Sequence, residues 1–256
     1  MLSILRDTYF DAYEKALEKD LPSNLPSSEI PALTSDTFSF YTSIASVYSS
    51  KIEGEAIDLN SYLKHRFSKT QYLPDYTKKT DDLYEAYQYA RHNPLHLKNL
   101  LKAHTYLSKN LLKSIHRGRI RSEMEFILNA EGQIEYVAAS PQSVGHEVDK
   151  LFSDIAFLLK QTLIPNAVFY YAAMIHLVFL KIHPFADGNG RAARLLEKWF
   201  LSEKLGQNAW FIPSEKYYYD HLQAYYKTVH IGFDYETLNY DRCLPFLLML
   251  PKAIKY

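Results

Sequence analysis

His183-Pro184-Phe185-Ala186-Asp187-Gly188-Asn189-Gly190-Arg191-Ala192-Ala193-Arg194 is the stretch around which the rest of the chain makes sense. It gathers a candidate base, a carboxylate, two glycines flanking an amide and two arginines. A tight loop that opens a helix turns backbone N–H groups toward an anion. Arg191 and Arg194 stand three apart and share one face of such a helix. Together these features read as a loop that binds phosphates, with His183 as the base beside them.

The flanks show what holds this loop. Upstream, Pro165 opens a run that is apolar on nearly every face, including Val168, Ala172, Ile175 and Phe179. A helix of that kind belongs at the centre of a domain. Ala167 to Ile182 is the strongest membrane candidate, but it is short and contains His176, so it reads as a buried helix. Pro184 is expected to end it and to restrict His183 to extended geometry. Downstream, Ala193, Leu196, Trp199 and Phe200 mark the apolar side of a helix from about Asn189 to Lys204.

Further out, helical spacing predicts helices over 3–19, 36–54, 56–67, Thr80 to Arg91, Pro94 to Lys109, 140–163, 214–229 and 240–253. Ser35 and Asp36 offer the cap for the second of these, and Gly54 its stop. Ser49 and Glu53 lie on one face near that stop. A carboxylate there opposes the helix dipole, so Glu53 calls for a cation elsewhere. Phe126–Leu128 and Ile134–Val137 flank a Gly-containing turn and read as a hairpin, whose open edge could take an extended peptide as an added strand. Pro22, Pro26 and Pro31 mark a connection that discourages helix. The expected fold is mainly α with one hairpin. Residues 1–34 form an N-terminal helix and wrapping linker, and residues 35–256 form the domain.

The chain has 256 residues, 47% of them hydrophobic, and equal numbers of acidic and basic side chains, 29 each. That balance points to neither nucleic acid nor an anionic membrane, so any phosphate site must be local. A single cysteine, Cys243, rules out an internal disulfide and suits a reducing compartment. The N-terminus lacks the pattern of a secretory signal, and a cytoplasmic location is expected. His146-Glu147 lacks a second histidine at zinc-protease spacing, and no Walker loop, Rossmann glycine pattern or zinc-type cysteine set is present.

The twelve-residue stretch resembles the signature of the Fic (Fido) family, His-x-Phe-x-Asp/Glu-Gly-Asn-Gly-Arg-x-x-Arg, at all eight specified positions. Ser49-Ser-Lys-Ile-Glu53-Gly54 resembles that family's inhibitory motif, placed before the core as in the class with an N-terminal inhibitory helix. Glu55 departs from the asparagine of many relatives. Gly118-Arg119-Ile120-Arg121, followed by the hairpin, resembles the segment that precedes the family's target-binding flap, and Tyr218-Tyr219 before Leu222 resembles a tyrosine pair that often follows the signature. These similarities span roughly residues 40–250.

The resemblance implies a Fic-type helical bundle with a β-hairpin flap. It also implies protein adenylyltransfer: AMP passes from ATP to a Ser, Thr or Tyr hydroxyl of a target protein with Mg²⁺ or Mn²⁺. His183 would be the catalytic base and Asp187 the metal ligand. Gly188, Asn189, Gly190, Arg191 and Arg194 would hold phosphates, with Tyr218 and Tyr219 beside the adenine. Ser49, Glu53 and Gly54 would form the brake, Glu53 pairing with Arg194. Ile127, Leu128, Ile134 and Tyr136 belong to the flap, where backbone pairing matters more than side chains. ATP and a hydroxyl-bearing protein are the expected partners, without nucleic acid or membrane; a homodimer stays open. The alternatives are removal of AMP, another nucleotidyl or phosphoryl transfer on the same fold, and a non-enzymatic helical interaction module.

Overall fold

The computed structural model describes residues 2–17, 21, 34–129 and 131–256. The first helix, α1, covers Phe10–Ala16, shorter than expected. The N–H groups of Ser3, Ile4 and Leu5 instead converge on the buried Asp154 carboxylate at 2.7–2.8 Å. The linker prolines Pro22, Pro26 and Pro31 lie outside the described residues. Helix α2 covers Ser35–Ile52, and its cap is Thr34 rather than Ser35 or Asp36, with Thr34 Oγ1 accepting from the Thr37 N–H. It stops as expected: Glu53 is the last half-helical residue and Gly54 follows at φ +86°, which glycine adopts without a Cβ penalty.

Asp58 caps α3, Leu59–Ser68, by accepting from the Ser61 N–H at 2.8 Å. Helix α4 covers Pro74–Arg91 and starts earlier than the expected Thr80, because Pro74 is well placed in a first turn. Thr80 is instead buried inside the helix and donates to Ser50 Oγ on α2. Helix α5, Leu97–Leu107, starts after His96 rather than at Pro94, since the His96 ring caps it by accepting from the Asn99 N–H.

The hairpin is present as β1, Phe126–Leu128, and β2, Ile134–Val137. Phe126 faces Val137, Ile127 faces Tyr136 and Leu128 faces Ile134, with an irregularity between Ile127 and Leu128. Next come α6, Val144–Lys160, α7, Pro165–Ile182, and α8, Asn189–Leu205. The expected helix 214–229 is broken at His221 into α9, Ser214–Asp220, and α10, Leu222–Val229. The expected helix 240–253 is likewise a set of single turns, because Pro245 and Pro251 each remove a backbone donor.

Helix α7 is the centre of the molecule. It has the length and hydropathy of a membrane span, yet 83% of that window is buried inside the protein. It packs against α6, α1 and above all α8, which buries Leu195, Leu196, Trp199 and Phe200. One core joins these helices to α2, α4 and α5, and a small satellite of Val47, Ile57 and Tyr62 sits under α3. The loop quoted at the outset is thus hung between the two most buried helices.

Candidate functional site

His183 follows the last turn of α7. Its backbone is left-handed, φ 53° and ψ 60°, rather than extended as Pro184 suggested. That geometry costs a non-glycine residue about 1–3 kcal/mol, and Arg121 holds it there. The Arg121 guanidinium donates to the carbonyls of His183 (2.7 Å), Glu123 (2.6 Å), Ala139 and Ile182, while its own N–H binds the Pro184 carbonyl at 2.9 Å. The His183 ring sits with Nδ1 3.3 Å from the Leu180 carbonyl. A carbonyl there fixes the proton on Nδ1 and leaves Nε2 as the acceptor. Burial pulls the imidazole down to about 4, so it is neutral at pH 7.

The loop is locked on its other side by His104 of α5, fully buried. Its Nε2 lies 2.9 Å from the Asp187 carbonyl, its Nδ1 accepts from the Gly118 N–H, and its ring stacks on Phe185 at 3.6 Å. Burial lowers its pKa to about 4 and keeps it neutral. Asn189 closes the loop internally: its amide accepts from the Phe185 N–H (2.8 Å) and donates to the Phe185 carbonyl (2.7 Å). The side chain of Asn189 is therefore structural, and only its backbone faces outward. Among the described residues, the N–H groups of Asn189, Gly190 and Arg191 have no backbone acceptor, as in any first helical turn.

The two glycines serve different ends. Gly188 caps α8 at φ +81°, where a Cβ would also stand 2.8 Å from Leu107. Gly190 is needed for space, because a Cβ there would collide with Glu53 Oε1. Asp187 is exposed, and its Oδ1 accepts from the Gly188 N–H. Among the described residues no group of three or more His, Cys, Asp or Glu side chains could hold a metal ion. A divalent cation at Asp187 would then take most of its ligands from phosphate oxygens and water, which suits Mg²⁺.

Both arginines of the loop are buried and engaged with the end of α2. Arg194 donates through Nε to Ser49 Oγ (2.9 Å), and through its terminal nitrogens to the Ser49 carbonyl (3.1 Å), Glu53 Oε1 (2.5 Å) and Tyr225 Oη (3.3 Å). Burial would raise the Glu53 carboxyl, but Arg194 and then Arg191 outweigh it and hold it below its usual range. The Glu53 side chain keeps 28% of its surface, which faces a cavity. Arg191 pairs with Glu55 at 3.2 Å, Glu55 pairs also with Lys79 of α4 at 2.7 Å, and among the described residues the buried Nε of Arg191 has no partner.

That cavity, about 580 Å³, is lined by the flap on one side and by Glu53, His183, Gly190 and Arg194 on the other. Its size is that of a small-ligand site. Tyr225 and Tyr226 of α10 line it; Tyr218 and Tyr219 do not. Tyr218 is fully buried, donating to Glu197 Oε2 at 2.8 Å, and Tyr219 packs near Tyr48 and Lys51. The break at His221 turns α10 relative to α9, so the tyrosines that reach the cavity are the later pair. Tyr225 in turn bonds His176 Nε2 (3.0 Å), whose Nδ1 meets Glu197 (2.8 Å). Arg194 is thereby tied through Tyr225 to a buried polar chain inside α7 and α8.

Of the flap residues, Leu128 and Ile134 are exposed and Ile127 is half-buried. Tyr136 is an anchor instead: its ring is buried and its hydroxyl donates to the Lys181 carbonyl at 2.7 Å. Among the described residues, the hairpin's outer edges pair with other backbone only at Val137, which donates to the Phe233 carbonyl. His104, Arg121 and Tyr225 are the site residues that sequence reasoning missed. His104 did leave a signal, since it shares a helix face with the apolar Leu100, Ala103 and Leu107. Arg121 stood in the quoted segment Gly118–Arg121, but its hold on the loop was hidden because the His183 and Ile182 carbonyls it binds are about sixty residues away.

Residues 94–201 match the model of the Fic/DOC family. This segment is similar to a Fic domain. Solved structures agree on the fold. A Fic family protein from Desulfovibrio desulfuricans G20 superposes with a TM-score of 0.71 at 20% identity, over 87% of this chain and 66% of that one. A Fic domain containing signaling protein from Bacteroides thetaiotaomicron VPI-5482 gives 0.62 at 19% identity, over 96% and 92%. Fic-1 from C. elegans gives 0.60 at 17% identity, over 96% and 66%. At these identities the likeness is one of fold. The match supports a nucleotidyl- or phosphoryl-transferase type of fold.

Proposed function

We propose that the protein is an adenylyltransferase that moves AMP from ATP to a Ser, Thr or Tyr hydroxyl of a target protein, and that Glu53 holds it off. The observation that carries this reading is the pairing of a neutral His183, its Nε2 left free, with the unpaired N–H groups and two arginines of one loop. In the reaction, His183 Nε2 takes the hydroxyl proton and the hydroxyl oxygen forms a bond to the α-phosphorus. The bond from that phosphorus to the bridging oxygen breaks, and pyrophosphate leaves. The loop N–H groups, Arg191 and Arg194 bind phosphate oxygens, so the chain contributes mainly position and charge. Asp187 would hold Mg²⁺, which supplies charge neutralisation on the phosphates when bound.

In the structure Arg194 is bound to Glu53, and Arg191 to Glu55. A nucleotide that needs these cations has to displace the carboxylates. Glu53 is the main brake, because its partner is nearly inaccessible to solvent, and Glu55 is a weaker second one, shared with Lys79. The test is mass spectrometry of the Glu53→Gly variant, with an added panel of proteins, after incubation with ATP·Mg²⁺. An AMP adduct that disappears in Glu53→Gly/His183→Ala is expected. An adduct that persists without His183, or loss of AMP from a pre-modified protein instead of gain, would overturn the reading.

A further inference from the structure

Among the described residues, Lys181 is the cation of the cavity wall that has no hydrogen-bonded or ion-paired counter-charge. Two residues before His183, it is only 5% exposed and lines the cavity. Its ammonium lies 4.3 Å above the Tyr136 ring on the flap strand β2. Among the described residues it makes no hydrogen bond or ion pair, whereas Arg191 and Arg194 each have a carboxylate. Glu135 of the flap is near enough to act on it through charge without reaching it. Burial pulls the amine down to about 8, which still leaves it mostly protonated at neutral pH. A buried ammonium without a counter-charge is costly, so an anion that enters the cavity beside it is bound with a gain the folded chain does not already hold.

The position of Lys181 indicates which anion. The phosphate-binding groups, meaning the loop N–H groups, Arg191 and Arg194, are on α8 and face the end of α2. Lys181 is on the last turn of α7, and its ammonium is stacked on Tyr136 of the flap. Whatever meets it lies along the hairpin, where Leu128 and Ile134 are exposed for an incoming extended segment. We infer that Lys181 is a specificity-determining residue that binds the carboxylate of an Asp or Glu next to the accepting hydroxyl of the target. The target class is thus a hydroxyl-bearing segment of acidic sequence. This rests on the reading of the cavity as a transfer site that takes a protein substrate.

The test is fluorescence anisotropy with the full chain and two pools of labelled peptides, read with and without ATP·Mg²⁺. Both pools carry Ser, Thr and Tyr; one flanks them with Asp and Glu, the other with Lys and Arg. The acidic pool is expected to bind about tenfold more tightly, and Lys181→Met to remove that preference. Lys181→Arg should retain it and Lys181→Glu should reverse it; the arginine variant keeps the test decisive if the methionine variant does not fold. Equal binding of the two pools, or a preference unchanged in Lys181→Glu, overturns the inference. So does a Lys181→Arg or Lys181→Met effect confined to ATP affinity, which would assign the cation to the nucleotide. AMP transfer is read separately with α-labelled ATP in the Glu53→Gly background. Acidic preference without transfer leaves Lys181 in place and defeats the transfer reading, whereas transfer to both pools alike does the reverse.

Discussion

The two walls of the cavity follow opposite rules. On the wall made by α2 and α8, each cation already has a carboxylate: Arg194 has Glu53 and Arg191 has Glu55. On the wall made by the end of α7 and the flap, Lys181 has none, and Leu128 and Ile134 stand exposed. The first wall is satisfied by the chain itself, so a ligand there has to compete with it. The second wall is unsatisfied and gains from a ligand. His183 sits at the seam, its backbone held in a left-handed conformation by Arg121. On the proposed function, the nucleotide side is closed from within and the target side is open.

Several substitutions put this contrast at risk. The largest effect is expected at the seam: in a Glu53→Gly background, His183→Ala should reduce AMP incorporation about 10³-fold, within the range for loss of a general base. Arg121→Met should leave several carbonyls unpaired and destabilise the protein by about 3 kcal/mol or more, read from the urea midpoint. Arg121→Lys should recover only part of this, because one ammonium cannot reach all four carbonyls.

A pH titration of stability probes the seam from another direction. His104 and His183 both have folded pKa values lowered to about 4 by burial. The unfolded chain therefore binds more protons between about 4 and 6.5, and stability should fall as the pH drops through that window. The buried His104 alone accounts for about 3 kcal/mol at the acid end. The Glu53 carboxyl is held below its usual range. Its contribution should last through most of that window and fail only as the pH falls through the lowered value. His104→Gln should flatten the curve in urea unfolding. The smallest effect is at Glu55, whose side chain is 26% exposed. Glu55→Gln in the Glu53→Gly background should raise AMP incorporation about two- to fivefold, as a partly screened pair allows.

Much of this was legible in the sequence, for identifiable reasons. The loop and its two helices were readable because an all-round apolar run and a glycine-rich anion loop are each local signals. The unsatisfied charge of Glu53 at a helix end correctly asked for a cation, and Arg194 is bound to it. What was not legible depended on distant partners or on phase. The conformation of His183 is set by Arg121, which no local rule connects to it. That Tyr225 and Tyr226 line the cavity, and Tyr218 and Tyr219 do not, follows a helix break at His221 that the residue spacing concealed. Tyr136 looked like a flap contact and proved an anchor, because its hydroxyl finds the Lys181 carbonyl across the fold.

The central claim is that the assembled transfer site is held off by Glu53. Its most direct test is incorporation of radiolabel from α-labelled ATP into protein, wild type beside Glu53→Gly, at equal concentrations with Mg²⁺. The account predicts about ten- to a hundredfold more label in Glu53→Gly, the size expected when one charge-assisted hydrogen bond no longer competes with the nucleotide. Equal labelling of the two proteins, or less in the variant, would contradict it.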